Sequence, residues 1–187
     1  MKPRIFLTLG AAFALAATLS HAQKLEPSQS EIVFTVKQLG VPVEGRFTKF
    51  SGQFAFDPKK PEAGKVALMI DTGSARFGSP DTDGEAVKAD WFNVAKFPQA
   101  TLESTAIKAA GPGRYELTGK LNIKGSARDV VMPVTLTKSG TVTLATGSFS
   151  VRRLDFRIGE GEWSDLSTVA NDVQVKFRLA LSGMAAF

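Results

Sequence analysis

The densest set of groups able to move protons or grip an anion lies in RRLDFRIGEGEWSD, residues 152–165, where Arg152, Arg153 and Arg157 alternate with Asp155, Glu160, Glu162 and Asp165. Two carboxylates beside an arginine are the equipment of an acid/base site, and Arg153 could equally bind an anionic or carbonyl head group. Both glutamates stand in a Gly-rich stretch, however, where solvated ion pairs are the commoner outcome. A second acidic run, SPDTDGEAVKAD (79–90), invites a calcium reading. An EF-hand loop needs Gly at its sixth position and Glu at its twelfth, whereas counting from Asp81 puts Gly84 fourth and Phe92 twelfth. These acids are expected instead at the positive end of a short helix. Gly119-Lys120 is followed by Leu121 where a phosphate loop needs Ser or Thr, and no G-x-S-x-G elbow is present.

The absences say more. The chain has no cysteine, and its one histidine, His21, lies in MKPRIFLTLGAAFALAATLSHAQ. Lys2 and Arg4, an apolar run and the small residues Ser20 and Ala22 are the parts of a cleaved secretory signal, expected over residues 1–22. The run is short for a membrane anchor. Cleavage leaves residues 23–187 as one domain without His or Cys, which removes His-based acid/base catalysis, thiol nucleophiles, haem ligation through either residue and the usual zinc and copper sites. No metal, cofactor or catalytic residue is expected. Loss of Lys2 and Arg4 lowers the formal net charge from +5 to +3, a mixed surface without a nucleic-acid footprint.

The elements that would position any site are strands. SEIVFTVKQ and DVQVKFRLALSG alternate apolar and polar residues, as do KVALMID, QATLEST, RYELTGKLNI, DVVMPVTLT and GTVTLATGSFSVRR. In GRFTKFSGQFAFD, Phe47 falls out of register with Phe50, Phe54 and Phe56, which predicts a bulge near Ser51-Gly52. About eight strands result. Residues 79–98 break the pattern with helix-compatible residues from Glu85 to Val94, ending before Pro98. The expected fold is all-β, an antiparallel barrel or else a two-sheet sandwich. A barrel of eight strands is either filled by its own side chains or holds one small guest, and periodicity alone does not choose.

In order, SEIVFTVKQLGVPVEGRFTKFSGQFAFDP, WFNVAKFPQATLEST, YELTGKLNIKGSARDVVMPVTL and RRLDFRIGEGEW resemble the YceI-like polyisoprenoid-binding family across nearly all of residues 23–187. The resemblance implies an exported, periplasmic, lipocalin-like eight-stranded barrel, with no enzyme activity, enclosing an isoprenoid lipid such as a quinone or polyprenyl carrier. On that reading the ligand-binding residues are Phe34 and Val36 on the first strand, then Phe50, Phe54, Leu68 and Ile70. Leu102, Leu117, Leu121, Val134 and Phe149 continue the set, which Arg153, Phe156, Phe177 and Leu179 complete. Independently of the resemblance, residues 79–98, the sizeable break in the alternation, are expected to form a lid with Trp91, Phe92 and Phe97 as its apolar underside, or else these aromatics plug one barrel end permanently. Transient contact with a membrane or a membrane cytochrome, and a homodimer, are further expectations. The alternatives are a solid-core module that docks to an envelope partner, or an enzyme acting on a lipid head group through Asp155, Glu160 or Glu162 with Arg153.

Overall fold

The computed structural model describes residues 22–187, so the expected signal over 1–22 lies outside the described residues apart from Ala22. Among the described residues eleven strands form: β1 (Lys24–Leu25), β2 (Glu31–Gln38), β3 (Val41–Phe47), β4 (Phe50–Ala55), β5 (Lys65–Asp71), β6 (Ala75–Arg76), β7 (Gln99–Gly111), β8 (Arg114–Ile123), β9 (Ser126–Ser139), β10 (Val142–Arg152) and β11 (Val169–Ser182). All pairings are antiparallel, in the order β4-β5-β7-β8-β9-β10-β11-β2-β3-β6, with β1 on β11. The twisted sheet curls into a half-barrel. Gln23 ties its β4 edge back to β1 by donating its backbone N–H to Phe54 O at 2.8 Å and accepting from Phe56 N at 2.9 Å.

The count exceeds the expected eight for a definite reason. β3 and β4 are one run interrupted at Thr48-Lys49, and β5 and β6 are one run interrupted at Thr72–Ser74; the two runs stay antiparallel across the break, with Phe47 opposite Ala75 and Phe50 opposite Ile70. Joining each pair and setting aside the two-residue β1 leaves eight. The irregularity therefore falls at Thr48-Lys49, not at Ser51-Gly52. There, Thr48 N and Lys49 N donate to Ser74 O (3.2 Å) and Ser74 Oγ (3.0 Å), so a serine hydroxyl replaces a missing ladder contact. The shift turns both Phe47 and Phe50 toward the interior. Gly52 has another role, since a Cβ there would stand 2.5 Å from the Phe54 ring.

The helix also forms earlier than Glu85–Val94. α1 spans Pro80–Ala86, with extended Ser79 before it, Pro80 in its first turn and Asp81 and Asp83 at its positive end. Asp83 Oδ1 accepts from Phe77 N at 2.6 Å, which fixes the entry of the chain. Beyond Ala86 the chain turns repeatedly, and Asn93 adopts a left-handed conformation (φ 49°) that ends any helical continuation.

Two apolar clusters divide the interior. The larger fills the barrel from β4 through β11, and the smaller gathers Phe34, Ala75, Ala86 and Phe92 at the end where β2 runs into β3.

Candidate functional site

The larger cluster is not solid. An apolar cavity of about 120 Å³ lies within it, lined by inward side chains of β2, β4, β5, β7, β8, β9, β10 and β11. Strand alternation accounts for this lining: residues two apart on each strand share a face, and antiparallel register sets those faces side by side. Of the residues expected from sequence, Phe54, Leu68, Ile70, Leu102 and Leu117 border the cavity, as do Leu121, Val134, Phe149, Phe177 and Leu179. Ile32, Met132, Leu136, Ala145 and Leu181 were legible in the same alternation but were not singled out, and all line it too. Met184 lines it from beyond the end of β11, where no periodic signal exists.

The other expected residues are placed elsewhere. Phe34 and Phe92 belong to the smaller cluster, where Phe34 meets Phe47 (ring centroids 5.1 Å) and Phe77 (5.3 Å), and Phe92 meets Phe47 (5.8 Å). Val36 lies between Val43 and Val173 in the ladder. Phe50 and Phe156 pack in the barrel cluster without bordering the cavity. Phe97 lies against Gly125, where a Cβ would approach its ring to 3.0 Å, and Trp91 packs on Trp163 with centroids 5.5 Å apart. The Trp91 indole N–H is buried without a hydrogen-bond partner.

Residues 79–98 thus supply Ala86 and Phe92 to the smaller cluster beside Phe34 and Phe47. They are held on both sides: Asp90 O accepts from Gly159 N (2.7 Å) and Glu160 N (2.9 Å), while Thr72 donates its N–H to Pro98 O (3.0 Å) and its hydroxyl to Phe97 O (2.8 Å).

Arg153 requires a correction. It is 2 % exposed, and all five guanidinium N–H groups donate to backbone carbonyls: Nε to Ala170, Nη1 to Ile158 and Gly159, and Nη2 to Trp163 and Val169, at 2.6–3.0 Å. A planar five-donor fork suits such a nest of carbonyls. No donor is left for a head group. Burial pushes its pKa below the ordinary arginine value.

The neighbouring charges are arranged as structural pairs. Asp155 takes both Nε and Nη2 of Arg152 (3.1 and 2.9 Å). Glu160 sits between Lys124 Nζ (2.9 Å) and Arg157 Nε (3.0 Å), whose hydrogen bonds, Lys124 first, hold its carboxyl below the ordinary 4.5. Lys124, its side chain 2 % exposed, also donates to Arg157 O at 2.7 Å, so the β8–β9 turn grips the loop after β10. These charges belong to the loop beyond β10 and to the β8–β9 turn; none borders the cavity. Among the described residues no three His, Cys, Asp or Glu side chains come together as a metal site.

This architecture recurs in known proteins. A crystal structure of BcnA from Burkholderia cenocepacia is 40 % identical and superposes with a TM-score of 0.81, covering 84 % of this chain and 99 % of that one. A polyisoprenoid binding domain from Saccharophagus degradans, 19 % identical, shares the fold with a TM-score of 0.70 over 86 % of this chain and 97 % of its own. Among relatives in sequence, a UPF0312 protein of Yersinia pestis is 36 % identical over 143 residues, covering 74 % of each chain. One from Azotobacter vinelandii is 37 % identical over 125 residues, which cover 66 % of this chain and 64 % of that one. Residues 23–181, from the Gln23 bridge to the penultimate residue of β11, match the model of the YceI-like domain, and the chain belongs to that family.

Proposed function

We propose that the chain is a non-enzymatic lipid-binding protein, exported to the periplasm by residues 1–22, whose barrel takes up an isoprenoid chain for carriage or storage. The observation that carries this reading is the cavity: an apolar space walled by β-strands, bordered by no charged side chain. The Saccharophagus degradans domain is described as polyisoprenoid binding, and it has this fold.

The volume sets a condition. An apolar cavity of about 150 Å³ holds benzene, so 120 Å³ accommodates roughly one isoprene unit. A longer chain enters only if lining side chains move aside. Met132 and Met184 are the unbranched, adaptable members of the lining and are the first to do so. Full burial of a chain of some forty carbons from water would be worth about 30 kcal/mol at 0.8 per CH₂, beyond the ceiling of about 18–21 for non-covalent binding. The relevant exchange is with a bilayer, where an apolar tunnel offers a nearly equal environment and release stays reversible.

The small volume favours one competing reading, a solid-core module that docks to an envelope protein. Solvent extraction of the purified protein followed by mass spectrometry, and uptake of decylubiquinone by the delipidated protein, separate the two. Co-purified isoprenoid or stoichiometric quinone uptake is expected. Absence of both would overturn the lipid-binding reading.

A further inference from the structure

The lining of the cavity is apolar throughout, and a row that carries two polar side chains adjoins one end of it. In the ladder Leu25 stands opposite Leu181, Leu181 opposite Thr143, and Thr143 opposite Lys138, a single row across β1, β11, β10 and β9. Alternation puts that row on the inner face: Thr143 is two residues from Ala145, and Lys138 two from Leu136, both of which line the cavity, as do Leu181 and Met184. Thr143 is 0 % exposed, and its hydroxyl has no hydrogen-bond partner. Lys138 reaches this rim from the solvent side, where its ammonium has one weak contact, 3.5 Å to Met184 O. The hydroxyl that the cavity lining itself carries is already engaged, since Tyr115 donates to Pro58 O at 3.3 Å.

A buried hydroxyl without a partner is destabilising, and valine would fill nearly the same volume without that cost. Resting on the lipid-binding reading, we infer that Thr143 and Lys138 form the head-group end of the site, where they donate to an uncharged oxygen acceptor, an alcohol or a carbonyl, at the end of the guest. One hydroxyl and one ammonium match the two lone pairs of such an oxygen. A phosphate brings two or more charges and many acceptor sites against the apolar lining of Leu136, Ala145, Leu181 and Met184, and two donors beside that lining leave most of them unpaired.

The test compares farnesol, farnesyl phosphate and the saturated hydrocarbon farnesane, delivered from cyclodextrin and quantified by mass spectrometry on wild type, Thr143→Val, Thr143→Ser and Lys138→Gln. Each ligand is compared with itself between variants, so differing solubilities cancel. Thr143→Val is expected to weaken farnesol about fivefold while leaving farnesane within twofold, with a melting temperature no lower than wild type. Thr143→Ser keeps the hydroxyl and should retain farnesol affinity; Lys138→Gln should lose about threefold. Farnesol and farnesane binding equally well in wild type and Thr143→Val would overturn the head-group assignment and leave lipid binding standing. Farnesyl phosphate binding more tightly than farnesol would overturn the preference for an uncharged group. If none of the three binds, lipid binding and the head-group site fall together.

Discussion

Arg153 shows how residue type and residue role separate. Its charge and position invite a ligand contact, yet its five bonds to the carbonyls of residues 158–170 make it the organiser of the loop between β10 and β11. Lysine has fewer donors and no fork, so Arg153→Lys gives up at least two charge-assisted bonds to buried carbonyls, on the order of 3 kcal/mol. A lowered urea midpoint and faster hydrogen exchange in residues 153–168 are expected, with prenyl-chain affinity unchanged within twofold; an affinity loss without destabilisation would return Arg153 to the ligand. Glu160 gives a pH dependence. Because Lys124 and Arg157 lower its pKa in the folded chain below the ordinary 4.5, its contribution is fully present above that value and disappears as the pH falls through the lower, folded one. The melting temperature of wild type should therefore exceed that of Glu160→Gln at pH 7, and the gap should close below about pH 4.5 in a thermal melt series. A gap that does not narrow as the pH falls would show that the carboxylate charge is not what Lys124 and Arg157 hold.

At the scale of elements, glycines and phenylalanines form cross-strand partnerships. Gly147 faces Phe177 and Gly45 faces Phe34 across the ladder, and a Cβ at these glycines would stand 2.5 Å and 2.4 Å from the opposing ring. At Gly147 it would also come within 2.2 Å of Pro133 O, a backbone atom with little freedom to move. Gly147→Ala should cost about 1–3 kcal/mol in denaturant unfolding, and a neutral outcome would mean β9 and β10 shift apart more readily than their ladder suggests. The segment that joins α1 to β7 is anchored as well as packed. Phe92→Ala removes a buried ring between Phe47 and Ala86, and a loss of about 3–5 kcal/mol is expected. Because the carbonyls of Asp90, Phe97 and Pro98 are held by Gly159 N, Glu160 N and the N–H and hydroxyl of Thr72, we expect slow hydrogen exchange here with or without lipid, as a plug behaves. Exchange that is fast in the empty protein and slowed by decylubiquinone would make it a lid instead.

For the whole molecule, the cavity is both a defect and a site. Ala145 is the smallest side chain in its lining, so Ala145→Leu adds three carbons where the void already exists. Such a filling is expected to raise the melting temperature by a few degrees while lowering decylubiquinone uptake at least tenfold. Unaltered uptake would place the lipid outside the barrel. Conversely, lipid bound by the wild type at a hundred times its dissociation constant should stabilise it by about 2.7 kcal/mol.

The amino-acid order alone determined that the chain is all-β, because alternation with period two can bury one face only in a sheet, and the apolar parity of most strands already named Phe54, Leu68, Leu102, Leu121 and Phe177. The lack of cysteine excluded disulfides and thiol chemistry without any coordinate. What alternation does not encode is depth along the barrel. Ile32 and Phe34 share a parity, yet register with Phe47 and Gly45 puts the first beside the cavity and the second in the end cluster. Nor does composition say where a cation's donors go; only the fold of residues 153–170 brings five carbonyls around Arg153. The orphan hydroxyl of Thr143 was equally invisible, since a threonine in a strand satisfies the pattern on either face. Whether it finds a partner depends on neighbours that long-range pairing alone supplies.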